Sequence, residues 1–149
     1  GFDAVEILNQ LVDDNGHQAD VFGARFDFND IVADPATNLD VRQGVPVIDG
    51  PFGVVSQIGI NNGATMTLRA GGPAVAIGWD NGAPRGLTRV ITAVSSFGLG
   101  KVFLIGDSSP FEDGTGRPGN DIFDSWNDPV EDNAVLFMNA TAFVVGDEG

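Results

Sequence analysis

Hydrophobic positions in residues 4–12 fall at Val5, Ile7, Leu8, Leu11 and Val12. That spacing, close to i, i+3, i+4 and i+7, predicts a helix with one buried face. Asp3 is placed to cap its start and Asn15-Gly16 to stop it. Through residues 19–39 the pattern turns irregular, with Phe22, Phe26 and Phe28 set among small and acidic residues; this reads as a packed loop with room for a short strand. Short apolar or alternating runs at 45–48, 53–60, 65–70, 74–79 and 87–95, bounded by Gly, Pro or Asn, predict strands. Asn62-Gly63 and Asn81-Gly82 accept positive φ and predict hairpin turns between them.

The last third changes character. Gly98-Leu99-Gly100 predicts a tight turn into residues 101–105, whose unbroken Val-Phe-Leu-Ile run fits a central strand buried on both faces. A Gly- and Asp-rich stretch follows through residues 106–128. Asp128-Pro129 with Glu131 then predicts a helix over 129–145, carrying Leu136, Phe137, Ala140 and Phe143 on its buried side and stopping near Gly146. Strand, loop and returning helix together read as half of an α/β unit. With no repeat or linker, residues 1–149 are expected to form a single α/β domain, its mixed sheet flanked by helices. The chain opens Gly1-Phe2-Asp3 with no initiator Met, and is expected to be a portion of a longer precursor.

Composition narrows the chemistry. The formal net charge is −14, and the acids are 17 Asp against 4 Glu, while Lys101 is the single Lys beside six Arg. Asp favours turns over helix interiors, so the charge should gather in loops. Such a surface repels phosphate backbones, which argues against nucleic acid as a partner. It also suits a saline, extracellular or envelope setting better than the cytosol. The absence of Cys removes disulfides, thiolate catalysis and Cys-type zinc sites together. No apolar run reaches the ~20 residues of a membrane-spanning helix.

The sharpest local feature is the strand-to-turn junction Ile105-Gly106-Asp107-Ser108-Ser109-Pro110. In open α/β sheets ligands bind at strand ends, so Asp107, Ser108 and Ser109 are the candidate ligand-binding residues. Gly-Asp-Ser after a strand also resembles the first block of the GDSL esterases, which would make Ser108 a nucleophile. A serine nucleophile needs a base, however, and the only His in the chain, His17, lies far upstream with no histidine following the block. The plainer role for Asp107 is to accept nearby backbone N–H groups within the turn. Asp107, Glu112, Asp113, Asp121, Asp124 and Asp128, set among glycines, are candidate Ca²⁺ ligands by their hard oxygens, although the EF-hand spacing is absent. Arg117 offers an alternative that orders the same loop by ion pairing. Asp27, Asn29, Asp30 and Asp34 form a second acidic cluster beside the three phenylalanines, which are expected to be core anchors. Trp79 and Trp126 could line a polysaccharide surface, with packing the expected role.

Four stretches carry a family resemblance. The run Gly100-Lys101-Val102-Phe103-Leu104-Ile105-Gly106-Asp107-Ser108, continuing to Gly114, and then Asn133-Ala134-Val135-Leu136-Phe137-Met138-Asn139-Ala140-Thr141, resemble the carboxyl end of class I glutamine amidotransferase-like α/β domains of secreted and envelope bacterial proteins. Asn29-Asp30-Ile31-Val32-Ala33-Asp34-Pro35-Ala36-Thr37-Asn38 and Pro46-Val47-Ile48-Asp49-Gly50-Pro51-Phe52-Gly53 are similar to an acidic loop and a turn of those domains. The resemblance implies a flavodoxin-like or amidotransferase-like fold, incomplete at its start. It does not imply the chemistry, because the Cys nucleophile is absent and no suitable His is present. The expected function is therefore a non-enzymatic binding or assembly domain, with Ca²⁺ stabilisation through its acidic loop left as an option beside a simply solvated loop. Its expected partners are another protein chain or a second copy paired through sheet edges. The alternative is a carboxylate-dependent hydrolase of glycosides or esters using Asp107 and acids of residues 112–128.

Overall fold

The run Val90-Ile91-Thr92-Ala93 is buried throughout, and the strand containing it is the one around which the sheet is built. A computed structural model describes residues 2–13, 16–32, 36–40, 44–115 and 125–146. In chain order the elements are α1 (Phe2–Val12), β1 (Ala24–Val32), β2 (Asn38–Leu39), β3 (Asp49–Gly50), β4 (Gly53–Val54), β5 (Gly63–Leu68), β6 (Val75–Trp79), β7 (Val90–Phe97), β8 (Gly100–Ile105), a 3-10 turn at Ser109–Phe111, and α2 (Asn133–Val145). The main sheet runs β1-β5-β7-β6-β2 with β8 also on β7, and β3-β4 is a separate hairpin. Every ladder among the described residues is antiparallel. The chain is thus a mixed α/β protein with a mostly antiparallel sheet.

The expectation that residues 101–105 form the central strand is corrected. β6 occupies one edge of β7, while β8 and β5 share the other: Thr92 to Phe97 pair with Ile105 to Gly100, and Val90 pairs with Met66. The central strand is β7, and β8 has β7 as its one strand partner among the described residues. The apolar run of β8 is nevertheless explained. Val102 and Leu104 join a core cluster with Val5 and Val12 of α1, while Phe103 and Ile105 join a second with Leu136, Phe137 and Ala140 of α2. Successive side chains on a strand point to opposite faces, and both faces of β8 join a core cluster, one of them against α2, so both must be apolar. Covered faces leave a mark in a strand's own residues; a lateral neighbour does not.

α1 extends to Phe2, so Asp3 lies within the helix and does not cap it. The helix is also rotated from the expected orientation: Asn9 and Val12 are buried, whereas Ile7 and Leu11 are 65% and 61% exposed. Asn9 is the reason. Its amide nitrogen donates to the Phe26 carbonyl at 2.9 Å and its oxygen accepts from the Phe26 amide at 2.7 Å. The side chain thereby occupies the place of a neighbouring strand along the open edge of β1. Residues 24–32, expected to be mostly loop, are accordingly a full strand.

Two expected strands are instead packed loop. Residues 45–48 form a turn, with the Ile48 and Asp49 amides both donating to the Val45 carbonyl, and of residues 53–60 only Gly53–Val54 is strand. Val47, Ile48, Val55 and Ile58 are still fully buried against α2. Side chains of α2 take the place of a ladder. Asn139 donates to the carbonyls of Val47 and Gly53 and accepts from the Phe52 amide, and Asn133 accepts from the Gly59 amide. Buried backbone groups need partners, and any partner suffices. α2 itself begins later than expected. Asp128 accepts from the Val130 amide at 2.8 Å within a turn, and the helix opens at Asn133 after Asp132. It closes, as expected, on Gly146 at φ 80°.

A bulge at Gly78 sends Ile77 and Trp79 into opposite clusters, and a Cβ at that glycine would collide with the Thr92 hydroxyl. That hydroxyl is buried and has no hydrogen-bond partner among the described residues. Thr92→Val, which keeps the shape and removes the orphan, is expected to raise stability by about 1 kcal/mol in a urea titration. A loss of stability would show that the hydroxyl is paired in solution.

Candidate ligand-binding groove

After Ile105 the chain bends sharply through Gly106, Asp107 and Ser108, and Asp107 holds the bend. One of its oxygens accepts from the Asn61 amide at 2.7 Å; the other accepts from the Ser109 amide and hydroxyl, both at 3.1 Å. This is the turn-closing role open to Asp when its carboxylate reaches neighbouring backbone. Gly106 makes the bend possible. Its carbonyl accepts from the Ala64 amide at 2.8 Å, and a Cβ there would overlap the Ala64 carbonyl. Side-chain-free backbone is therefore required where β5 and β8 meet end to end beside β7.

The bend borders a groove of ≈ 430 Å³. Its apolar walls are Val5 and Leu8 of α1, Phe26 and Phe28 of β1, Ile105, and Phe111 of the 3-10 turn. Asp27, Asn62, Asp107 and Ser108 supply the polar part of the lining. Asp27 is pinned as Asp107 is, its two oxygens accepting from the hydroxyls of Thr65 at 2.8 Å and Thr67 at 2.9 Å. A more open depression of ≈ 440 Å³ lies beside Trp79, Arg85 and Leu87, away from this turn.

Of the three predicted ligand-binding residues, Asp107 and Ser108 line the groove, and Ser109 is buried behind them. Ser108 is exposed. His17 is exposed between α1 and β1 and is not part of the lining. The contributions of Asp27 and of α1 were not legible as part of a site. Strand pairing of β1 with β5 and the Asn9 contact bring them there, and neither leaves a mark in the local pattern.

The six candidate Ca²⁺ ligands do not all fall within the described residues: Asp121 and Asp124 lie outside them, as does Arg117. The others are engaged locally. Asp113 accepts from the hydroxyl and amide of Thr115, which hold its carboxyl below the usual range, and Asp128 accepts from Val130. Glu112 contributes its carbonyl, which accepts from the Trp126 amide at 3.0 Å. Among the described residues no three Asp, Glu or His side chains converge to hold a metal ion. Trp79 is buried with its indole N–H on the Gly86 carbonyl at 2.8 Å, and Trp126 stacks on Phe137. Both tryptophans pack as expected. No helix among the described residues is long and apolar enough to cross a membrane.

Charge is tuned more clearly at the start of α2. Burial pushes Glu131 up, the nearby Asp128 charge adds to this, and a hydrogen bond from Asn133 opposes it. Burial also pushes on Asp132, but bonds from the Ser56 hydroxyl, the Ser56 amide and the Gln57 amide outweigh it and bring the carboxyl below its ordinary value. The signs for stability are opposite. A raised carboxyl disfavours the fold once ionised, so its penalty grows as pH rises through the folded value; a lowered one stabilises, and that benefit is lost as pH falls through the folded value. Glu131→Gln is expected to raise the melting temperature at about pH 7 but not at about pH 3, below the ordinary carboxylate range. An equal effect at both pH values would show that packing, not ionisation, is responsible.

Comparison of the chain with known protein families and with curated protein sequences finds no match.

Proposed function

We propose that this chain is a non-enzymatic binding domain of an extracellular or envelope protein, and that the groove beside the Gly106–Ser108 bend takes its ligand. The supporting observation is that the groove's walls are largely apolar while its best-placed reactive groups are already engaged. Asp107 accepts two hydrogen bonds from Ser109 that close its own turn and a third from the Asn61 amide, and the Ser109 hydroxyl is spent on the same carboxylate. Ser108 is exposed, and no His lines the groove to take its proton. A pocket of this size with few polar groups suits holding a small molecule. The Asp-rich surface and the absence of Cys support a setting outside the cytosol. This reading is independent of the amidotransferase-like resemblance.

A fragment titration followed by amide chemical shifts tests the proposal. Probes that bind are expected to shift Leu8, Phe26, Ala64, Ile105 and Phe111 together. Hydrolysis of a nitrophenyl glycoside or ester that disappears in Asp107→Asn would overturn the proposal in favour of the hydrolase. Shifts confined to other surfaces would overturn it as well.

A further inference from the structure

We infer that the groove selects small apolar organic cations, a hydrophobic ammonium being the simplest. The inference rests on the reading of the groove as the binding site and adds the chemistry of the ligand. Two carboxylates, Asp27 and Asp107, belong to the lining, and among the described residues no Lys, Arg or His does. Each is fixed by donated hydrogen bonds, two to Asp27 from Thr65 and Thr67 and three to Asp107 from Asn61 and Ser109. An ionised carboxylate offers about four acceptor sites, so both keep capacity for a further donor. Because their partners hold them in place, little ordering remains to be done when a ligand arrives.

Charge complementarity then separates the classes of occupant. An anion would meet two like charges beside apolar walls. A neutral apolar molecule would cover the carboxylates without pairing them, which is costly for buried charge. A bare divalent ion wants six to eight oxygen ligands, and most of the lining is hydrocarbon. An organic cation matches both parts: its body meets Val5, Leu8 and Ile105, and its head meets the carboxylates. Phe111, half-exposed in the lining, offers an aromatic ring that also attracts positive charge. The net charge of −14 raises the local concentration of any cation near the surface.

The test compares three probes of similar shape, phenethylammonium, 2-phenylethanol and 3-phenylpropionate, by chemical-shift titration of the full chain at low ionic strength. Phenethylammonium is expected to shift the groove residues with an affinity at least tenfold above that of the alcohol, as expected for one charge-assisted hydrogen bond. The propionate is expected not to bind. Asp27→Asn is expected to remove most of the preference for ammonium over alcohol. Ser108→Trp, which fills the groove from an exposed position, should abolish binding of both. Alcohol binding as tight as ammonium binding in the groove would overturn the inference and leave the groove reading standing. If no probe shifts the groove residues, both fail. The three-probe comparison on the unaltered chain decides the matter even if Asp27→Asn does not fold.

Discussion

Asn139→Ala is expected to destabilise the protein by roughly 3 kcal/mol or more, since each buried polar group left without a partner costs about 1–3 kcal/mol. Asn139 is 0% exposed, and its amide serves three backbone groups: the carbonyls of Val47 and Gly53 at 3.3 and 2.9 Å, and the Phe52 amide at 3.0 Å. The two-residue strands β3 and β4 pair with each other, and the Val47, Phe52 and Gly53 groups that Asn139 serves have no further strand beside them among the described residues. Gly50 approaches the Asn139 side chain so closely that a Cβ would sit 2.6 Å from its Cγ and Oδ1. Against a total stability of about 5–15 kcal/mol the loss would be large. A urea titration should show a lower midpoint at unchanged slope, and hydrogen exchange should accelerate first at the Phe52 amide. A loss below about 1 kcal/mol would mean that the loop finds other partners.

Gly106→Ala is the second large effect, and it reaches the groove directly. The added methyl would overlap the carbonyl oxygen of Ala64 and come within 2.8 Å of its carbon. These are backbone atoms held in the sheet, so they cannot give way as the end of a flexible side chain can. Overpacking typically costs 1–3 kcal/mol, and the upper end, about 3 kcal/mol, is expected here. Relief of the overlap must separate β5 from β8 and disturb the bonds from Ala64 to Gly106 and from Gly106 to Ile91. Ala64 and Gly106 both line the groove, so binding of the apolar probes should fall along with stability. Gly98→Ala provides the comparison. That glycine has positive φ but open space around it, so its substitution should cost less, about 1 kcal/mol, and leave probe binding alone. Equal effects on binding at both positions would show that general loosening, not the bend, controls the groove.

The candidate site was half legible. The bend after residues 101–105 was readable because a change from four apolar residues to Gly-Asp-Ser is a local event, and Asp107 closes the turn with groups within two residues of itself. The opposite wall was not readable. Asp27 looked like one member of an acidic cluster until pairing with β5 placed Thr65 and Thr67 on either side of it. Leu8 was assigned to the core, but the Asn9 contact turns the helix so that Leu8 lines the groove and is 38% exposed.

By itself the sequence determined the two helices, the runs that become β5 to β8, the Gly146 stop, the acidity, and the absence of thiol chemistry. These follow from periodicity, turn residues and composition, all of which act over a few neighbouring residues. Only the tertiary structure decided that β7 and not β8 is central, that residues 45–60 are largely loop, and that Asn9, Asn133 and Asn139 are buried. Each of these depends on hydrogen bonds between residues far apart in the chain, from 17 positions for Asn9 with Phe26 to 92 for Asn139 with Val47. An asparagine amide satisfies backbone as well as a strand does, and nothing in its immediate neighbours reveals which backbone it will meet.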